Sequence, residues 1–430
     1  MKEEVKGKHE IRDPIHGAIS IYKAERYILD HDFLQRLRGI RQLGFTQYSF
    51  PSATHTRFSH SVGVMHVAGN IFDTLHLPIS EHKKSQYRSL LRMTALLHDC
   101  GHGPYSHAAE YAMPPKRALF PNDQSNDRAT HEDYTVAILT QTDINDLLER
   151  EFGFSGKHVA ALIDPMIDTE DDFFVDQGLD LRTIFSQIIS SNLDADRLDY
   201  LIRDSYFTGV RYGEVDVSWL INNMGYHISD RGEVSLALER TALYALENFL
   251  LARLHMFLMV YFHNKSLGYE LLFRKWLQDP ECEYKIPADL EEYKFIDDGH
   301  LWYHMCQSPI AAAKAIKTRN IYKVAFERHG SIENVDLSIR KHILEEAGIP
   351  VLESLDTGKA FSKPKVGKPP IQLLPSELEG TQSKPLHQVH TRVHTAEVSI
   401  ARLYVPPEHI EDARLLMKKL IPTQTQTSLL

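Results

Sequence analysis

Cysteine is scarce in this chain, with three among 430 residues: Cys100, Cys282 and Cys306. They share no ligand-like spacing, which argues against a disulfide framework and fits a reducing compartment. An excess of positive charge is also lacking. The net charge of −10 argues against a protein that coats nucleic acid. Any anionic substrate must then be held by a local cluster of cations or a metal, against the global field. The opening residues, MKEEVKGKHE, carry no apolar stretch of the kind a signal peptide needs, so a cytoplasmic location is expected. Long hydrophobic runs are missing too. The most apolar one, NFLLARLHMFLMVYF, is interrupted by Arg253 and His255. It reads as a buried helix that is too short and too polar to span a bilayer, so no membrane partner is expected. No internal repeat is detectable.

What is present is a chain long enough for one large domain or two modest ones, with 43% apolar residues to build a core. HEIRDPIHGAISIY alternates around Asp13-Pro14 and Gly17 and reads as a short hairpin. FLQRLRGIRQLG, SVGVMHVAGNIFDTLH and YRSLLRMTALLH have helical periodicity, the first stopping at Gly44. Thr130 opens a helix with a capping-box-like THED. LRTIFSQIISSNLDADRLDYLIRDSYF reads as one helix closed by Gly209, GYHISDRGEVSLALE as a hairpin, and residues 240–277 as one long helix. Beyond about 280, prolines and charges become frequent. The expected division is a mainly α-helical core over 1–280 and a smaller α+β region over 281–430. Within the latter, 357–390 reads as a flexible segment, followed by one strand and one helix.

The chemistry concentrates in ALLHDCGHGPYSHAAE, residues 95–110. An apolar helix ends there in a carboxylate and imidazoles, groups that are costly to bury without partners. Eight of the 24 histidines lie between positions 55 and 107. Four side chains make a candidate metal set: His60, His98, Asp99 and Asp196. Adjacent residues diverge by about 100° on a regular helix, so His98 and Asp99 share an ion only at a helix end, which Gly101 supplies. His60 and Asp196 must come from two other helices. Two nitrogens and two carboxylates leave positions open, which favours a divalent Mg, Mn, Fe, Co or Ni ion, or an open Zn site, over a closed structural zinc. The competing reading of His60 is a capping or surface histidine. Asp196, Tyr200 and Asp204 share one helix face by their i, i+4, i+8 spacing.

RFSHS, HDCGHGPYSH and DADRLDYLIRD, in this order and at these separations, resemble the HD-domain hydrolases. With DPIHG, RLRGIRQLG, FPSATHTRFSHS and VYFHN, residues 9–275 are most similar to the SAM-and-HD-domain deoxynucleotide triphosphohydrolases and their bacterial relatives. No SAM-like module precedes Asp13, so the resemblance implies a bacterial form with an HD-domain helical core. It implies a metal held by His60, His98, Asp99 and Asp196, and release of a nucleoside and triphosphate by attack at the α-phosphorus. It also implies a histidine acid, His107 or His131, oriented by a carboxylate. Glu110 stands where the animal enzymes have aspartate. Arg57, His102, Arg197, Arg253 and His263 match phosphate contacts. Gln42, Leu43, Tyr200, Asp204 and Tyr261 match the sugar pocket, with Tyr261 against the 2′ carbon. Asp13 and Arg38 match positions that read a guanine at an activating site between subunits, which implies a homotetramer built as a dimer of dimers.

The ordinary alternatives stay beside these: packing for the tyrosines, a snorkelling chain for Arg253, and a helix-start surface position for His131. The leading expectation is a metal-dependent dNTP triphosphohydrolase with deoxynucleoside triphosphates as partners. The alternatives are another HD-type phosphohydrolase, acting on nucleoside monophosphates, cyclic nucleotides or (p)ppGpp, and a non-catalytic nucleotide- or nucleic-acid-binding regulator.

Overall fold

The computed structural model describes residues 9–330, 337–360, 370–375, 383–388 and 397–420. The architecture is mainly helical, as expected, with small sheets that are mostly antiparallel. Strands His9–Asp13 and Gly17–Ile21 form the N-terminal hairpin. The helices Arg57–Leu75 and Glu81–Leu97 pack along each other, and Ala195–Thr208 lies against the first. Their shared apolar faces, including Val64, Met65, Ala68, Leu91, Ala95, Leu198 and Leu201, are fully buried.

Three helical expectations need correction, each for a tertiary reason. The 33–44 stretch is not one helix. Asp32–Arg36 is α-helical, Leu37–Gly39 is a 3-10 turn, and Ile40 is extended. A Cβ at Gly39 would run into Asp297, and Arg36 donates to the carbonyls of Ile296, Cys100 and His102. The chain bends to receive these neighbours. The 181–208 stretch is two helices, Arg182–Ile189 and Ala195–Thr208. Its Ser-Ser-Asn-Leu-Asp interruption offers side chains that compete for backbone groups: Asp194 accepts from the amides of Ser191 and Arg197 and caps the second helix. Gly209 closes that helix with φ +76°, as expected.

The 240–277 stretch is also interrupted. Leu243–Met256 is α-helical, Phe257–Tyr261 makes a π turn with the amide of Phe262 on the carbonyl of Phe257, and a new helix runs over Asn264–Leu277. A wider turn moves Tyr261 away from where a regular helix would place it relative to Arg253. Arg240–Tyr261 has the length and composition of a membrane span. However, Phe249, Leu250, Met256 and Val260 of this stretch are buried in the protein's own core, and Arg253 is buried with them.

The main core does not stop at 280: Leu301, Met305, Ile310 and Ile316 belong to it. A second, small core of Leu344, Ile349, Leu403, Val405, Ala413 and Met417 lies in the C-terminal region. There the expected strand, Glu397–Val405, is the centre of a three-stranded sheet between Lys323–Gly330 and Leu352–Lys359. Helix Ile410–Lys419 follows it. Within the stretch read as flexible, Gln372–Leu373 and Lys384–Pro385 pair as short strands beside the hairpin Met224–Ile228/Val234–Leu238. Residues 361–369, 376–382 and 389–390 of that stretch lie outside the described residues.

Candidate active site

The helix Glu81–Leu97 ends at His98, and the turn that follows carries Asp99. Gly101 serves close approach here rather than a left-handed turn. A Cβ there would collide with the Thr135 amide and the His131 carbonyl, and the Gly101 amide donates to Thr135 Oγ1 at 3.0 Å. The start of helix His131–Gln141 is thereby pressed against the turn that holds Asp99.

His60, His98 and Asp196, from three helices, offer ligand atoms within 4.8 Å of one another. His60 Nε2 is 3.0 Å from Asp196 Oδ1 and 3.8 Å from Asp99 Oδ2. His98 Nε2 is 3.3 Å from Asp99 Oδ1 and 3.8 Å from Asp196 Oδ1. The other ring nitrogens are spoken for. His98 Nδ1 donates to the Ala95 carbonyl at 2.7 Å, and His60 Nδ1 to Asp199 Oδ2 at 2.8 Å. Both Nε2 atoms therefore face one point, and that of His98 is buried with no hydrogen-bond partner. Burial works against a charged His60, but hydrogen bonds to Asp196 and Asp199 outweigh it and raise the imidazole to about 10. Two carboxylates around imidazoles make a site that calls for a cation, and the donor set fits an oxygen- and nitrogen-preferring divalent ion. Asp99 also pairs with Arg57, whose Nε donates to Ser106 Oγ at 3.0 Å.

Asp199 was not singled out from the sequence. It is fully buried and accepts from His60, His16 and both nitrogens of an Arg203 fork. A Cβ at Gly63 would strike it, so this glycine in the His60 helix admits the carboxylate. Asp199 stands three residues after Asp196, one turn along the same helix. That spacing was the available signal, since a histidine ligand usually gives its second nitrogen to a carboxylate.

A second group lies beside the first. Glu110 Oε1 accepts from His131 Nδ1 at 2.6 Å and from His107 Nδ1 at 3.1 Å. Burial alone would raise Glu110, but these two hydrogen bonds hold its carboxyl down at about 2. His102 stacks on His131 with ring centroids 3.8 Å apart, and His107 meets both rings edge-on. Burial, followed by the nearby Arg57, keeps His102 neutral.

One cavity of about 240 Å³ brings together Gln42, Arg57, His98, Asp99, His102, His107, His131, Asp196 and Tyr200. The rest of the expected set lies behind or beyond its lining. His60 and Glu110 stand behind their partners. Arg197 sits beside Asp196 with its head against Asp194 and Asn192. Leu43 is half-buried against the core. Tyr261 donates to Asp204 Oδ2 at 2.7 Å, while His55 donates to Asp204 Oδ1 at 2.8 Å. The Tyr261 ring lies edge-on to Tyr200 at 6.4 Å. Arg253 is buried, donates to the Ala360 carbonyl and keeps an unpaired Nε. His263 stands apart, edge-on to Phe50, its imidazole lowered by burial and then by Arg402 and Lys265.

The two positions expected at an activating site have other work here. Asp13 accepts from Arg203 and from the amides of Ile15 and His16. Its side chain is 5% exposed, which leaves it little freedom to read a base in this conformation. Arg38 is exposed, with its guanidinium 3.5 Å from the Phe58 ring centroid.

Residues 57–201 match the HD domain. Among the chain's relatives, the uncharacterized MG461 homolog of Mycoplasma pneumoniae is 34% identical over 268 residues, covering 60% of this chain and 57% of that protein. The Dictyostelium discoideum deoxynucleoside triphosphate triphosphohydrolase SAMHD1 homolog is 31% identical over 205 residues, 46% of this chain and 36% of that protein. The chain thus spans between about a third and somewhat over half of these relatives. A hypothetical protein from Aquifex aeolicus has a crystal structure with TM-score 0.75 and 25% identity, covering 95% of this chain and all of that one.

Proposed function

We propose that this protein is a divalent-metal-dependent phosphohydrolase that converts a deoxynucleoside triphosphate and water into a deoxynucleoside and triphosphate. The observation that carries the reading is one cavity lined by both the His98–Asp99–Asp196 group and His131, whose Nδ1 is held by Glu110. His60, His98, Asp99 and Asp196 would hold the ion, which when bound acidifies water and neutralises phosphate charge. His131 stands ready to protonate the leaving 5′-oxygen, a poor leaving group without a proton. Glu110, ionised at any working pH, keeps His131 oriented through its Nδ1. Arg57 and Arg197 supply the nearest cations for the phosphates, and Arg253 a further one beyond Tyr200.

The test is a panel of dNTPs, rNTPs and monophosphates with Mg, Mn, Fe, Co, Ni and Zn ions, following nucleoside and triphosphate as separate products. Release of orthophosphate alone, or turnover of monophosphates only, would overturn the reading. The second of these outcomes has an observation behind it. The cavity is smaller than the roughly 300–1,000 Å³ usual for ligand pockets, and Arg253 and His263 do not line it. A smaller phosphate ester is therefore the runner-up.

Sugar choice follows from Tyr261. Its hydroxyl is fixed by Asp204 and its ring by Tyr200, so a 2′-hydroxyl pressed against it would be crowded and left unpaired. A preference for dGTP over GTP on the order of 10²-fold in kcat/KM is expected. Tyr261→Ala narrows the ratio chiefly by admitting GTP. Equal treatment of the two nucleotides by the wild type would remove the deoxynucleotide specificity while leaving the hydrolase intact.

Asp199→Asn keeps the shape of the side chain and removes the charge that orders His60. A roughly 10–100-fold loss of metal affinity is expected, read by titration calorimetry with Mn ions. Thermal unfolding of the metal-free variant separates lost affinity from lost fold.

A further inference from the structure

His102, His107 and His131 form a second convergence of ligand atoms, all within 4.8 Å of one another, next to the first group but sharing no residue with it. Glu110 holds the Nδ1 atoms of both His107 and His131. That leaves their Nε2 atoms as the free ones, which is how a carboxylate behind a histidine prepares it for a metal. His102 is buried, and its Nδ1 has no hydrogen-bond partner. Three imidazoles with no thiolate, and with the Asp99 carboxylate 3.5 Å from His102 Nε2, suit an imidazole-preferring ion such as Zn more than Mg or Mn. We infer that these three histidines are a second, inhibitory metal site, which takes a zinc-class ion and thereby withdraws the histidine acid from hydrolysis.

The inference rests on the proposed hydrolase reading for its consequence, but not for the binding itself. Zn–N bonds of about 2.0–2.1 Å require the stacked His102 and His131 rings to splay. His107, with 69% of its side chain exposed, has the freedom to swing in as the third ligand. An ion there occupies the lone pair that a proton needs, so a histidine cannot serve as ligand and acid at once. No bond to substrate is made or broken in this step, and up to one proton per ligated imidazole is released to solvent.

The test starts from protein saturated with Mn ions and freed of excess, then titrated with ZnCl2. Bound Mn and Zn are both counted by elemental analysis, and hydrolysis of the substrate found by the panel is followed in parallel. The expected result is one equivalent of Zn taken up with Mn retained, and activity falling in step with Zn occupancy. In His107→Ala and His131→Ala the extra equivalent should bind at least 10-fold more weakly, with the Mn content unchanged. Zn uptake matched by Mn release, no second equivalent, or a second equivalent unaffected in both variants would each overturn the second site. If no nucleotide is hydrolysed by any form of the protein, the function fails, yet the Zn stoichiometry still decides the site. If Zn binds as expected while hydrolysis persists at full occupancy, the inhibitory role is overturned.

Discussion

Asp196→Ala is expected to lose its bound divalent metal and its hydrolysis together, with turnover at the level of the buffer control. Asp196 Oδ1 lies 3.0 Å from His60 Nε2 and 3.8 Å from His98 Nε2, so it faces both imidazoles, as Asp99 does. Without it the pair faces only Asp99, whose charge is already shared with Arg57. A three-ligand remnant with an arginine beside it is a poor trap for a cation. Asp196 is in the first turn of its helix and its side chain is 33% exposed, so the substitution leaves no large cavity and the fold should persist. Metal analysis, circular dichroism and product assay on one preparation check this. A variant that folds, retains stoichiometric metal and turns over normally would remove the His60–Asp196 group from the reaction.

His131→Ala is expected to keep the metal and lose about 10²–10⁴-fold in kcat, the usual worth of a general acid. His131 touches Glu110 and the His102 ring rather than the first group's ligand atoms, so metal content should not change. His107→Ala separates the two candidates for the acid. His107 is more exposed, and its bond to Glu110 is longer, so the smaller loss is expected there. A companion variant tests the orientation. Glu110 is held at about 2, so it stays ionised from mild acid to alkaline pH and contributes no titration of its own in that range. Glu110→Gln keeps the shape of the side chain but loses the carboxylate that accepts from His131 Nδ1, so kcat is expected to fall with the metal content unchanged. An unchanged kcat in Glu110→Gln, or full activity in both histidine variants, would take this group out of proton transfer.

Much of the candidate metal group, as the fold brings it together, was legible from local pattern. The HD dipeptide at a helix end, the periodicity of the His60 helix and the spacing of DADRLDYLIRD are properties of neighbouring residues, and the resemblance joined them into one set. The hairpin of residues 9–21, the Thr130 cap and the Gly209 stop were legible for the same reason. Each rests on hydrogen bonds and dihedral preferences within a few residues. Glu110 was read as a neighbour of His107, three positions away. Its shorter bond goes to His131, 21 residues on, and no periodicity reports such a contact.

The sequence by itself determined a mainly helical chain of net negative charge, too few cysteines for a disulfide framework, and a histidine–aspartate group apt for a cation. Tertiary structure alone decided where the helices break, because Asp297, Asp194 and the π turn at Phe257–Tyr261 act through neighbours or through backbone bonding that apolar spacing does not encode. It also decided which polar residues are committed to the scaffold. Nothing in the sequence around Asp13 or Asp199 says what either carboxylate binds. Arg203 binds both, and only the packing of hairpin, His60 helix and Asp196 helix around that guanidinium makes one a brace for a ligand and the other its anchor. A buried charge is tolerable only beside its partner, and the partner is chosen by how the helices pack, not by distance along the chain.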